Sequence, residues 1–328
     1  MENSLKKYLI TDIGDDARRQ YIDAQSVFGE RERTRKEANS VRGSMFWKTQ
    51  SSREYLIRQT AQNAQKSLGL RTAETEKMME HFTARKALLT ERLQALDEAL
   101  ERHRRMNRAL YVGRAPQVLV DILNGLEKYG VAQHFTVVGT HALYAYEAAA
   151  GVRIGAPGAL ATQDVDLLWD TRRRLQFVEH MQGLGSTMMG LLQRIDSTFR
   201  LSEEDRFKAI NKSGFEVDII RREAHEGDDH PLALTPSNDG EEFYAVQAER
   251  AGRLLSAPRL TAIVVSTKGD MARMTTIEPA PFIEFKRWMS TLKNRDHLKR
   301  NRDALQAEVV QQLMTEYLPH LMPRTTTL

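Results

Sequence analysis

The sequence predicts an α+β fold, a mixed sheet core flanked by a long-helix N-terminal module and a helical C-terminal region. Three observations carry this expectation. Residues 74–110 place apolar side chains at Phe82, Leu89, Leu93, Leu96 and Leu100, mostly three or four positions apart, the stripe of a long amphipathic helix. Beyond Pro116 the pattern changes to short apolar runs that alternate with helical stretches. The segments 197–201, 206–211 and 215–220 then follow one another as strands with no helix between them, which argues against a doubly wound parallel sheet. The expected domains are a helical module over residues 1–115, an α+β domain over 116–224 and a mostly helical region over 225–328.

Everything up to about Arg114 reads as helical, with Gly43-Ser-Met-Phe-Trp-Lys-Thr49 as an interruption between helices. Phe46 and Trp47 there are either core anchors or part of a binding loop. The 74–110 helix reaches on the order of 55 Å at about 1.5 Å per residue. Its stripe needs cover, from a second helix in an antiparallel hairpin or from a second copy in a dimer. Pro116 suits the first turn of a new helix, which runs through Val118, Leu119, Ile122 and Leu126 to Gly130. A strand over 135–138 breaks at Gly139 into a helix over 140–150. After a loop rich in glycine and alanine come a strand from Asp164 and a helix over about 171–181. Short strands are expected at 243–246 and 260–265, and helices from about Pro281 onward.

A chain of 328 residues is long enough for two or three domains. No apolar run approaches a membrane span, and the first residues lack the apolar core of a signal peptide. Cysteine is absent. That excludes disulfides, thiolate zinc sites and a cysteine nucleophile, and it suits a cytoplasmic location. Any metal must be held by oxygen or imidazole. The net charge of +4 is modest, but basic residues cluster at Arg31–Lys36, at Arg102–Arg108 and at Lys299–Arg302. Such clusters either neutralise phosphates or decorate solvated helix faces.

The chemistry concentrates in three places. Asp164 and Asp166 stand two apart on a strand, so both point to one face. Two adjacent carboxylates repel unless a cation lies between them. Asp218 lies on another strand, opposite in face to Phe215, Val217 and Ile219, and joins the pair if the two strands are neighbours. Three such acids bind hard ions, Mg²⁺ or Mn²⁺, and Asp218 is the natural proton acceptor for an attacking hydroxyl. Gly139 and Thr140 open a helix, where backbone N–H groups and a hydroxyl suit a triphosphate. His141 next to them is either a nucleotide contact or a packed helix histidine. The loop His225-Glu-Gly-Asp-Asp-His-Pro231 offers imidazoles and carboxylates without a spacing that orients them, and reads as a solvated acidic turn.

The order Gly139-Thr140, then Asp164-Val-Asp166, then Asp218 on an apolar strand resembles the nucleotidyltransferase fold of the DNA polymerase β superfamily. More closely, Val138-Gly-Thr-His-Ala-Leu-Tyr-Ala-Tyr-Glu147, Ala161-Thr-Gln-Asp-Val-Asp-Leu-Leu168 and Lys286-Arg-Trp-Met-Ser290 resemble a bacterial family of nucleotidyltransferase-fold proteins. Gly43–Lys48 and the stretch from Arg295 fit the same family, so the resemblance spans most of the chain. It implies that residues 116–224 are the catalytic domain and that Asp164, Asp166 and Asp218 are catalytic metal ligands. It further implies that Gly139 and Thr140 hold the triphosphate and that Lys286 is a nucleotide contact. Thr140 replaces the superfamily's usual serine and keeps the hydroxyl. The loop before Asp164 is longer than in minimal members.

The expected activity is transfer of a nucleoside monophosphate from an NTP to an acceptor hydroxyl, with Mg²⁺ or Mn²⁺ as cofactor. RNA, such as a tRNA end, or a protein hydroxyl is the acceptor. The alternative is a catalytically inactive relative that binds nucleic acid or regulates. An antibiotic-modifying transferase is a third class, with only the acidic loop near Asp228 in its favour.

Overall fold

The computed structural model describes residues 10–61, 63–160, 162–225, 227–228, 232–235 and 242–322. The chain divides into two compact units, residues 19–110 and residues 1–18 with 111–328. The described residues open with strand β1 (Ile10–Asp12) and helix α1 (Asp15–Ser40).

In the smaller unit α1 is followed by β2 (Ser44–Gln50), β3 (Arg53–Gln59) and β4 (Gln65–Leu70), an antiparallel sheet in the order β2–β3–β4. The expectation of helix throughout is corrected here. The β2–β3 hairpin turns on Ser51 and Ser52, both at positive φ (50° and 63°). Such turns are normally marked by Asn-Gly or a similar pair, and two serines carry no such mark. Helix α2 (Ala73–Ala109) then starts at a reciprocal cap. Thr75 N donates to Thr72 Oγ1 (3.4 Å) while Thr72 N donates to Thr75 Oγ1 (2.8 Å). The two long helices run antiparallel. Gln20 donates to Asn107 Oδ1 (2.9 Å), Arg31 to Asp97 Oδ1 (2.7 Å), and Arg92 bonds Glu30. The hairpin alternative for α2 is therefore realised within the chain.

Among the described residues the larger unit is built on a nine-stranded sheet. Helix α3 (Gln117–Lys128) buries Leu119, Val120, Ile122, Leu123 and Leu126 on one stripe. Strand β5 (Phe135–Val138), helix α4 (Ala142–Ala150), strand β6 (Val152–Ile154), the short helix α5 (Pro157–Leu160) and strand β7 (Asp164–Trp169) follow. β6 pairs with β1 in a separate two-stranded ribbon. After helices α6 (Arg174–Leu184) and α7 (Met188–Ile195), strands β8 (Arg200–Leu201), β9 (Lys208–Ile210) and β10 (Glu216–Arg221) form an antiparallel meander. Strands β11 (Leu232–Ala233), β12 (Tyr244–Gln247), helix α8 (Ala251–Ser256), β13 (Arg259–Val265) and β14 (Met271–Ile277) come next. Helices α9 (Pro279–Thr291) and α10 (His297–Tyr317) close the unit.

The main strand order is β11-β12-β10-β7-β5-β14-β13, with β9 alongside the first half of β10 and β8 beyond it. The sheet is mixed: β7 is parallel to β10 and antiparallel to β5. Strands beyond residue 224 pair into it, so the expected division at that residue falls inside one sheet. The strand alternation sorts side chains between two cores. Val165, Leu167, Trp169, Val217 and Ile219 face a core shared with α3, α6 and α7, whereas Leu168 and Val138 join one shared with α4, α9 and α10. Asp164, Asp166 and Asp218 are in phase with the second set. No helix among the described residues is long and apolar enough to cross a membrane.

Candidate active site

Adjacent parallel strands bring the acids together. In the β7–β10 register Asp218 stands beside Asp166 and Glu216 beside Asp164. Residues in register on neighbouring strands share a face, so four carboxylates form one block. Oxygens of Asp164, Asp166 and Asp218 all lie within 4.8 Å of one another. Glu216 is drawn away into an ion pair with Lys208 (2.7 Å). Lys208 sits directly across from Asp218 on antiparallel β9.

Burial, and then the repulsion of Asp164 and Asp218, pushes the Asp166 carboxyl up to about 7, against the pull of Lys286 and Arg295. Burial also pushes Asp218 up to about 6, with Lys208 opposing and Asp164 adding to the rise. Asp218 Oδ1 is buried with no hydrogen-bond partner among the described residues. Asp164 Oδ1 accepts from the Thr162 hydroxyl. An acid cluster that is short of counter-charge and offers only oxygen can hold a hard divalent cation.

Gly139 closes the site from the β5 side. Its φ is +71°, and a Cβ built there would stand 2.2 Å from Asp166 Oδ2. Only glycine permits both the left-handed backbone and that approach. The next residue, Thr140, is buried, and its hydroxyl accepts from Gln306 Nε2 of α10 (2.9 Å). Phe135 to Val138 is fully buried β-strand up to this break, so the chain arrives at the acids along the sheet and leaves through α4. A protein-family model described as nucleotidyltransferase matches residues 117–326, well over half of the chain.

The chain belongs to that nucleotidyltransferase family.

No curated protein and no solved structure matches it. The matched span begins at α3 and includes every strand from β5 to β14, and with them the three acids, Gly139, Thr140 and Lys286.

Lys286 is reached differently from the other expected site residues. It is 4% exposed, and its ammonium donates to Asp303 Oδ1 (2.8 Å), while Arg295 donates to Asp303 Oδ2 (2.6 Å). Burial lowers its pKa, and its charge still favours the ionised form of Asp166. His141 is 1% exposed, with its ring 5.8 Å from Phe215 and 5.7 Å from Tyr144, centroid to centroid. Burial holds it down to about 4, so it is a neutral packed ring at physiological pH. His230 of the acidic loop lies outside the described residues.

Two neighbours of the site, Lys208 and Gln306, went unmarked in the sequence. Lys208 was legible in principle, because the Asn211–Gly214 turn sets its register with Asp218. Gln306 carries no local signal, being an ordinary polar residue on a helix, and its full burial is what reveals it. Asp303 was already part of the family-like stretch from Arg295 to Asp303.

Proposed function

We propose that the protein is a metal-dependent nucleotidyltransferase that moves a nucleoside monophosphate from an NTP to an acceptor hydroxyl on RNA. The convergence of Asp164, Asp166 and Asp218 beside Gly139 is the observation that carries this proposal. The three carboxylates would hold Mg²⁺ or Mn²⁺, which when bound neutralises charge on a transferring phosphoryl group. Gly139 and Thr140 receive the triphosphate through backbone N–H groups and the hydroxyl at the start of α4. Asp218 takes the proton of the acceptor hydroxyl; a carboxyl raised to about 6 is a competent base near neutrality. The acceptor oxygen forms a bond to the α-phosphorus, the bond to the bridging oxygen breaks, and pyrophosphate leaves.

RNA is favoured as acceptor by where the positive charge lies. Residues 19–110 hold 19 Lys and Arg against 12 Asp and Glu, although the whole chain is only +4. A basic excess of this kind attracts a phosphate backbone. Lys286 supports the site through its charge, which favours ionised Asp166, while its ammonium is engaged by Asp303.

The test is label transfer from each α-labelled NTP into total RNA and protein, with Mg²⁺ or Mn²⁺, for the parent and for the Asp164→Ala/Asp166→Ala variant. Label in RNA that disappears in the variant is the expected result. Label in protein would replace RNA as the acceptor. RNA binding without label transfer or NTP binding, indifferent to both substitutions, would show a non-catalytic nucleic-acid-binding protein instead.

A further inference from the structure

Helix α10 reaches the phosphate-binding turn through a single side chain. Gln306 is fully buried, and its Nε2 donates both to Thr140 Oγ1 (2.9 Å) and to the backbone oxygen of Ala159 (2.6 Å). The second contact decides the orientation of the amide. A carbonyl oxygen only accepts, so the nitrogen must face Ala159. Turned the other way, two oxygens would meet at hydrogen-bond distance.

With the nitrogen so placed, the Thr140 hydroxyl is obliged to accept from it. A hydroxyl has one hydrogen to give, and the hydrogen of Thr140 has no acceptor among the described residues. We infer that Gln306 is a positioning residue that turns the Thr140 hydroxyl into a dedicated donor toward a phosphate oxygen of the bound NTP. The role rests on the triphosphate-binding function proposed above for Thr140.

The surroundings make the arrangement rigid. One turn before Gln306, Asp303 is fully buried and held by Lys286 and Arg295. On the other side, Ala159 belongs to α5, so the amide ties α10, α5 and the Gly139–Thr140 turn at one point. A preset donor needs no reorganisation when the anion arrives, and a hydrogen bond to a charged acceptor is stronger than a neutral one. A serine or threonine hydroxyl without such a partner would rotate among several acceptors.

The experiment is a double-substitution cycle read by calorimetric titration of ATP, GTP, CTP and UTP, each with Mg²⁺, and by KM and kcat of label transfer. Gln306→Met keeps length and removes the amide; Thr140→Val keeps shape and removes the hydroxyl. In the parent background Gln306→Met should weaken binding of the preferred NTP roughly tenfold, chiefly in Kd and KM. In the Thr140→Val background the same substitution should change Kd less than twofold, and in the Thr140→Ser background the roughly tenfold loss should return. Should Gln306→Met fail to fold, Gln306→Asn takes its place, since its amide is one methylene too short to span both acceptors. Equal losses in both backgrounds, or none in the parent background, would reduce Gln306 to packing and overturn the inference. A parent protein that binds no NTP would remove the proposed function and this role together.

Discussion

Replacing Asp166 by asparagine should make the protein more stable and inactive at once. Asp166 rises from the ordinary carboxylate value of 3.8 to about 7 because it is buried beside Asp164 and Asp218. A rise of that size corresponds to about 4 kcal/mol of ionisation cost at pH 8. The residue as a whole is only partly buried, and solvent screening brings the expected gain to about 2–4 kcal/mol. The folded state binds this proton more tightly than the unfolded chain. Asp166 therefore favours folding at acid pH, and that contribution is lost as pH rises from about 4 to about 7. The gain from Asp166→Asn should accordingly be only about 1–2 kcal/mol at pH 5 and reach its full value by pH 8.

Urea unfolding in chelated, metal-free buffer at pH 5 and pH 8 measures this, followed by tryptophan emission, to which fully buried Trp169 on the same strand contributes. Adding Mn²⁺ at pH 8 should then stabilise the parent and leave the variant nearly unmoved, because an ion that binds only the folded parent adds to its stability. A variant no more stable than the parent at pH 8, or a gain equal at both pH values, would refute the idea that these acids are held together against their charge.

Gly139→Ala should cost about 1–2 kcal/mol for the left-handed backbone alone. Its methyl would also displace the Asp166 carboxylate from 2.2 Å, so label transfer should fall at least about a hundredfold while melting moves only modestly. Lys208→Met removes the cation that opposes the rise of Asp218. The acid limb of the kcat–pH profile should move to higher pH, and an unmoved limb would take Asp218 out of the base role. Arg114→Met strips buried Glu147 of its bidentate partner, whose Nε bond is 3.2 Å long. The expected loss is about 3 kcal/mol in thermal or urea unfolding, with the Glu147 carboxyl, already raised by burial, rising further once Arg114 no longer opposes it.

Local signals were enough to bring out much of the candidate site. A buried run broken by Gly139, and carboxylates at i and i+2 on β7, depend only on strand alternation and on glycine's freedom at positive φ. Helix α2 announced itself through its periodic stripe. The three strands between residues 44 and 70 did not, since the β2–β3 turn falls on Ser51 and Ser52, which carry no compositional mark. Strand β14 was missed for another reason. Met271–Ile277 alternates weakly and gains its place only by pairing with both β13 and β5.

What chain order and residue type determined were the faces: which side chains of a strand must point together, and which helix stripe must be covered. Which strands became neighbours was decided by tertiary structure. Asp218 reaches Asp166 only because β10 lies parallel to β7 in one register, and a slip of a single residue would turn it to the other core. Gln306 meets Thr140 across 166 positions of chain, through a helix whose polar residues look alike until some are buried. Alternation and periodicity are properties of a few consecutive residues, whereas charge repulsion, desolvation and hydrogen-bond direction exist only between groups that folding has brought within reach of one another.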